Sequence, residues 1–215
     1  HIQHAVIRVY PEHADPNIMW IQYNTVNGAF YFLVSYVPYK LTSNTVSSKI
    51  FDTLANNHAE FSKTGTVIHT GDYNAQMPDA IGQPDITRTA NVKSLEKLMS
   101  ATKSIYAINK QQIKEDGHYT CYTLGKDNKV RTSINDYIMY PADRPDLLKN
   151  YRVHKDVSLS SFHRLLTVDI NSPRCNPKTM WGDPTYLSSR WTDGDVEKLK
   201  NTLREASEIS KPGNS

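Results

Sequence analysis

TVIHTGDYNAQ, residues Thr66–Gln76, joins two kinds of sequence that the rest of the chain explains. TVIHT is short, apolar and β-branched, as a buried strand is. GDYNAQ follows where that strand is expected to end, with Gly71 free to turn sharply. Asp72 and Asn74 are two residues apart, so extended geometry would point both to one side. A carboxylate and an amide at a strand's C-terminal end suit a hard cation or a phosphate oxygen. The plainer reading is a strand-to-loop turn, because Gly, Asp and Asn all favour turns.

Outward from this stretch the chain reads as alternating strands and helices. Upstream, Ser43–Phe61 is helical in pattern: Val46, Ile50, Phe51, Leu54 and Phe61 share one broad face. Three strand-like segments precede it, His4–Tyr10, Ile18–Tyr23 and Ala29–Val37, with the turn signal Asn27-Gly28 between the last two. They predict an antiparallel meander. Pro38 stops the third strand, which places Tyr36 near a strand end with its phenol able to reach a site.

Downstream, Ala75–Ala90 reads as an irregular polar loop, Val92–Ala101 as a second helix, and Ser104–Ile108 as a short strand. Tyr119–Leu124 and Arg131–Tyr140 read as a hairpin joined by Gly125–Lys129. Tyr151–Val157 and Leu165–Ile170 read as the last strands. From Asn171 the pattern is lost, apart from a charged amphipathic helix over Asp193–Glu208. We therefore divide the chain into a domain over 1–170 and a linker with a C-terminal helix over 171–215. Strand–helix–strand order predicts an α+β layered domain.

Composition limits the function classes. The 215 residues carry a net charge of +3 and are 38% hydrophobic, with a pI near 8.7. That mild basicity is compatible with nucleic acid. No apolar run is long enough to span a bilayer, and the first residues do not form a signal peptide. Cys121 and Cys175 make neither a disulfide framework nor a zinc site, and read as reduced intracellular thiols.

Two further clusters carry chemistry. RTSINDYI (131–138) sets Asp136 inside an apolar strand, where a carboxylate needs a partner. SLSSFHRLL (158–166) sets His163 just before the final strand. If the two meet, the carboxylate orients the imidazole, which then serves as a general base or, protonated, binds a phosphate.

The order of these motifs resembles one family. SYVP (35–38), HTGDYNAQ (69–76), YTCYT (119–123), TSINDYIMY (132–140) and SSFHRLL (160–166) resemble, in sequence and order, the endonuclease/exonuclease/phosphatase superfamily, the fold of deoxyribonuclease I. They are most similar to the endonuclease domain of non-long-terminal-repeat retrotransposons. The resemblance implies a two-sheet β-sandwich flanked by helices, a four-layer α/β/β/α arrangement. It implies hydrolysis of a DNA phosphodiester with Mg²⁺ or Mn²⁺, an intracellular and nuclear setting, no membrane, and a downstream reverse transcriptase in a longer product. By position it makes Tyr36 a residue that approaches the scissile phosphate and Asp72 one that positions the attacking water. It makes Asn74 a phosphate-orienting amide, Thr120 and Ser133 hydroxyls that contact the DNA backbone, and Asp136 and His163 the catalytic pair.

Two departures qualify it. The family has Asp before the His, where this chain has Phe162. Its metal-binding Glu lies on strands preceding anything present here, so the chain reads as the C-terminal two-thirds of the domain. No certain metal ligand therefore remains. Two alternatives follow: a degenerate, non-catalytic fragment that keeps the fold, and a superfamily phosphatase acting on inositol lipids or sphingolipids. Arg88, Lys126, Lys129 and Arg131 are candidate contacts for DNA phosphates.

Overall fold

The computed structural model describes residues 7–10, 15–25, 28–39, 44–81, 88–107, 119–125, 127–154 and 162–171. The charged helix expected over Asp193–Glu208 lies outside them, as does nearly all of the 171–215 segment.

The organising element is a six-stranded mixed sheet, ordered β1 (Ile7–Val9), β2 (Ile18–Thr25), β3 (Gly28–Tyr36), β4 (Gly65–Asp72), β8 (Asp136–Pro141) and β5 (Ser104–Tyr106). The first three strands form the expected antiparallel meander. Then α1 (Asn44–Phe61) carries the chain across, and β4 returns parallel to β3. Pairing runs from Ala29 opposite Gly65 to Tyr36 opposite Asp72, so the two parallel strands end at the same level. β8 lies antiparallel on the other side of β4 and sets Asp136 opposite Asp72.

AFYFLVSYV is apolar almost throughout because both faces of this sheet are covered. Alternation sends Tyr31, Leu33, Val67, Tyr137 and Met139 to one face, where they pack with Trp20 and the helices. Ile50, Phe51, Leu54 and Phe61 of α1 and Val92, Leu95 and Leu98 of α3 (Ala90–Thr102) complete that core. Thr89 caps α3, its hydroxyl accepting the Val92 N–H, and Lys103 closes it in the left-handed region. Phe30, Ile68 and Ile138 point to the opposite face and meet the hairpin of β9 (Leu148–His154) and β10 (Leu165–Ile170).

Helices and sheet thus stack as expected. Among the described residues, however, only the β9–β10 hairpin occupies the far face, and every helix contributes to the near core. The second large sheet and second helical layer of a four-layer arrangement are not among them.

Two elements differ from the sequence reading. The expected strand Arg131–Tyr140 is two strands. β7 (Val130–Ser133) pairs with β6 (Cys121–Leu124), and β8 joins the main sheet. The break falls at Ile134 and Asn135, where the Thr120 hydroxyl accepts the N–H groups of Asn135 (3.0 Å) and Asp136 (3.2 Å). The expected loop Ala75–Ala90 also contains a short helix, α2 (Pro78–Ile81), held because Ala75, Met77 and Ala80 are buried in the core.

Candidate active site

The site lies where β3, β4 and β8 reach the same end of the sheet. β4 does not turn at Gly71 but continues through Asp72. Gly71 is required for a different reason: its φ is +141°, and a Cβ there would lie 1.9 Å from the Ser35 carbonyl oxygen. The missing side chain lets β3 and β4 close on each other at the residue before Asp72.

Past Asp72 the chain turns through Asn74, at φ 44°. The Asp72 carboxylate accepts the Asn74 N–H at 2.8 Å and its amide Nδ2 at 3.1 Å. Asp72 and Asn74 therefore converge through a left-handed turn and not through strand alternation. Asn74 Nδ2 also donates to the Val37 carbonyl at 2.9 Å, so both its amide protons are engaged internally. That leaves the expected phosphate-orienting amide acting on Asp72 instead.

Two buried residues that the sequence reading missed hold this turn. Asn91 of α3 places Nδ2 at 3.2–3.3 Å from the carbonyls of Pro38, Tyr73 and Asn74. The Tyr137 hydroxyl accepts the Met77 N–H at 3.0 Å and lies 2.7 Å from the Ala75 carbonyl and 3.0 Å from that of Ile134. The available signal was a polar residue at the head of α3's apolar face and a Tyr pointing into the helix-side core.

The other half of the site comes from the β6–β7 hairpin and the segment before β10. Residues 162–164 lie antiparallel beside β6: Tyr122 N–H donates to the Phe162 carbonyl at 2.9 Å, and Arg164 N–H to that of Thr120 at 2.8 Å. Cys121 and His163 face each other in this bridge, with Sγ 3.8 Å from Nε2. The pairing aims His163 Nδ1 at Asp136, 3.0 Å from both carboxylate oxygens. His163 Nε2 then faces Asp72 Oδ2 at 3.8 Å. Asp136, His163 and Asp72 are thus brought together, with Tyr36 at the adjoining strand end, 52% exposed.

Other expected residues fall elsewhere. Thr120 has no exposed surface (0%), and its hydroxyl is bonded to the backbone at Asn135 and Asp136. Its expected contact with a DNA backbone is corrected to an internal one that sets the start of β8. Ser133 is half-buried opposite Cys121, within hydrogen-bonding reach of the thiol. Phe162 is 62% exposed and meets Tyr122 edge-on, with centroids 5.9 Å apart. Arg88 pairs with Glu96 at 2.9 Å, Arg131 lies 3.8 Å from Asp127, and Lys126 is outside the described residues.

Burial raises the Asp72 carboxyl to about 6, and the nearby Asp136 charge adds to this. The Asn74 hydrogen bonds and His163 oppose the rise without cancelling it. Burial likewise raises Asp136, against hydrogen bonds from Thr120 and His163. Cys121 is also raised, chiefly by burial, so its thiol stays protonated at neutral pH. Two carboxylates held this close in a half-buried site create a need for positive charge. Donor atoms of Asp72, Asp136 and His163 lie within 4.8 Å of one another, so this set fits a divalent cation that favours oxygen and accepts one imidazole.

No family model matches the chain. Among curated proteins it is 25% identical over 131 residues to the LPS-assembly protein LptD of Shewanella frigidimarina (strain NCIMB 400). That match covers 60% of this chain and 16% of LptD. Among solved structures, the endonuclease domain of TRAS1, a telomere-specific non-LTR retrotransposon, superposes with a TM-score of 0.63 at 18% identity. The match covers 79% of this chain and 70% of that one. The chain has a deoxyribonuclease I-like fold.

Two other proteins of this fold agree. The 3′ phosphatase NExo of Neisseria, solved with a product DNA hairpin, gives a TM-score of 0.54 at 15% identity, over 79% of this chain and 71% of its own. The AP endonuclease LMAP of Leishmania major gives 0.54 at 11%, over 73% and 55%. The deoxyribonuclease I-like fold is therefore found here with a mixed central sheet and an Asp–His–Asp group at one of its ends.

Proposed function

We propose that this chain is a divalent-metal-dependent phosphodiesterase acting on DNA, an endonuclease of the retrotransposon type. The observation that carries the reading is the line Asp136–His163–Asp72, built from three separate parts of the chain at the end of one sheet. Asp136 holds a proton on His163 Nδ1, which leaves the Nε2 lone pair facing Asp72. A water bonded to both Nε2 and Asp72 Oδ2 at about 2.8 Å would subtend roughly 85° across the gap, somewhat below the tetrahedral angle but reachable. Such a water has both protons directed at basic atoms and a lone pair left for phosphorus.

Asp72 accepts a proton only when ionised, so activity should be lost as pH falls and its carboxyl becomes protonated; burial favours that protonation and a bound cation opposes it. The carboxylates of Asp72 and Asp136 are the groups that would hold the cation, Mg²⁺ or Mn²⁺, with His163 Nε2 kept for the water. That cation supplies neutralisation of the charge that develops on the phosphoryl oxygens. Tyr36, exposed at the same end, is in place to contact the phosphate. DNA as substrate, a nuclear setting and a downstream reverse transcriptase follow from the retrotransposon-type reading.

Phe162 favours a second reading. It stands where the family that this sequence resembles has an Asp, and its exposed ring meets that of Tyr122. A chain that keeps the fold and binds DNA without cutting it would carry such a change. Nicking of supercoiled plasmid with Mg²⁺ separates the two. The endonuclease reading expects nicking that Asp72→Ala, His163→Ala and EDTA each abolish. Folded protein with no nicking selects the non-catalytic reading.

A further inference from the structure

Thr120 stands just before β6 and is fully buried. Its main chain is tied on both sides. The N–H donates to the Ser133 carbonyl at 3.0 Å, and the carbonyl accepts the Arg164 N–H at 2.8 Å. The second bond fixes the segment that carries His163, because Arg164 is the next residue. The side chain goes a third way. Its hydroxyl oxygen accepts the N–H groups of Asn135 and Asp136 at 3.0 and 3.2 Å, with the Asp136 carboxylate within hydrogen-bonding reach of the O–H. One residue thus grips both members of the Asp136–His163 contact, the histidine by its main chain and the carboxylate by its hydroxyl.

The hydroxyl suits this task. Two N–H donors occupy the lone pairs of its oxygen, so its own proton is left to donate. The branched Cβ restricts χ1, which keeps the oxygen at the break between β7 and β8. Asp136 is the first residue of β8, so no earlier residue of that strand steadies it. Its carboxylate nevertheless places both oxygens 3.0 Å from His163 Nδ1. A carboxylate there keeps the proton of a neutral imidazole on Nδ1 and the lone pair on Nε2. Were it to turn away, the proton would be drawn to Nε2, where Asp72 Oδ2 at 3.8 Å is the acceptor at hand.

We propose that Thr120 is a positioning residue: its hydroxyl holds Asp136 in the orientation that keeps the His163 proton on Nδ1 and the Nε2 lone pair toward Asp72. The part that this lone pair plays in activating water rests on the phosphodiesterase reading above; the tautomer itself does not. Thr120, expected from the family resemblance to touch DNA, would then act on the reaction from inside the protein.

The test is the protonation pattern of the His163 ring, read in EDTA by nitrogen-15 NMR of the histidine side chains where this ring has titrated to its neutral form. His163→Gln identifies the signal. Wild type and Thr120→Ser, which keeps the hydroxyl, should show the Nδ1–H tautomer. Thr120→Val, which keeps the shape, should lower the ratio of Nδ1–H to Nε2–H about tenfold or more, as loss of a hydrogen bond to a charged group implies. Thr120→Ala takes its place if Thr120→Val does not fold. A hydroxyl-free variant with the wild-type pattern would overturn the inference, and so would an Nε2–H tautomer in wild type or in Thr120→Ser. Plasmid nicking is a separate arm: folded wild type that shows the expected tautomers and cuts no DNA removes the endonuclease reading and leaves this one standing.

Discussion

Asp72→Asn is expected to make the folded protein more stable near neutral pH while removing the proposed activity. The carboxyl of Asp72 is raised from 3.8 to about 6 in the folded state. The unfolded chain therefore releases this proton first, and stability falls as pH rises from about 3.8, with the full loss reached above about 6. A rise of roughly two units corresponds to about 3 kcal/mol near pH 7.5 and about 1 kcal/mol near pH 4.5. The Asn amide cannot ionise, so the variant escapes this loss. It keeps an oxygen for the Asn74 N–H but sets an NH₂ against Asn74 Nδ2, where the wild type has a 3.1 Å hydrogen bond. That exchange costs about 1 kcal/mol. The net gain should be about 2 kcal/mol near pH 7.5 and close to zero near pH 4.5. Urea denaturation followed by far-ultraviolet circular dichroism, in EDTA at both pH values, measures it. A variant less stable than wild type at both, or stabilised equally at both, would refute the argument that the site is held against a charge cost.

Three other outcomes follow from positions already described. Gly71→Ala should cost at least about 3 kcal/mol, because it combines a backbone clash with a positive φ; a midpoint in denaturant within error of wild type would contradict the close approach to Ser35. His69 is fully buried, its Nε2 2.8 Å from His58 Nδ1, and burial with His58 nearby lowers it to about 3. A depressed imidazole resists protonation when folded, so stability should fall as pH drops below about 6.5, by about 2 kcal/mol near pH 5. His69→Gln should flatten that acid limb, measured by thermal denaturation across pH, and an unchanged limb would exclude His69 as its source. Tyr137→Phe removes the hydroxyl that bridges Met77, Ala75 and Ile134, and should cost about 1–3 kcal/mol by urea denaturation; no loss would mean that the loop after Asp72 is held by Asn91 alone.

What could be read in the chain depended on how local its cause was. The buried character of AFYFLVSYV, the crossover helix and the strand under TVIHT follow from residues within one element, and the structure repeats them. The meeting of Asp136 with His163 was legible only as motif order, since no local pattern joins residues 27 apart. The break in Arg131–Tyr140 was not legible: SINDYIMY keeps a strand-like pattern across it, and what ends β7 is a hydroxyl 15 residues away. The same long-range bond hid the burial of Thr120, which in YTCYT looks like an outward-facing strand residue. Asn74 misled in a smaller way, because alternation assumes a backbone that its left-handed φ abandons.

Cys121 has a use that its chemistry does not suggest. Its thiol is buried, with Sγ 3.8 Å from His163 Nε2, and burial keeps it protonated and poorly nucleophilic. Its side chain lies beside the His163 ring, so opening of the pairing between residues 162–164 and β6, which would also take His163 from Asp136, should expose it to a thiol reagent. With Cys175 replaced by Ser, the rate of labelling becomes a clock for how often the Asp136–His163 contact comes apart. Set against the labelling rate of an unfolded chain, it converts to the free energy of opening this one corner of the molecule, separately from the stability of the whole.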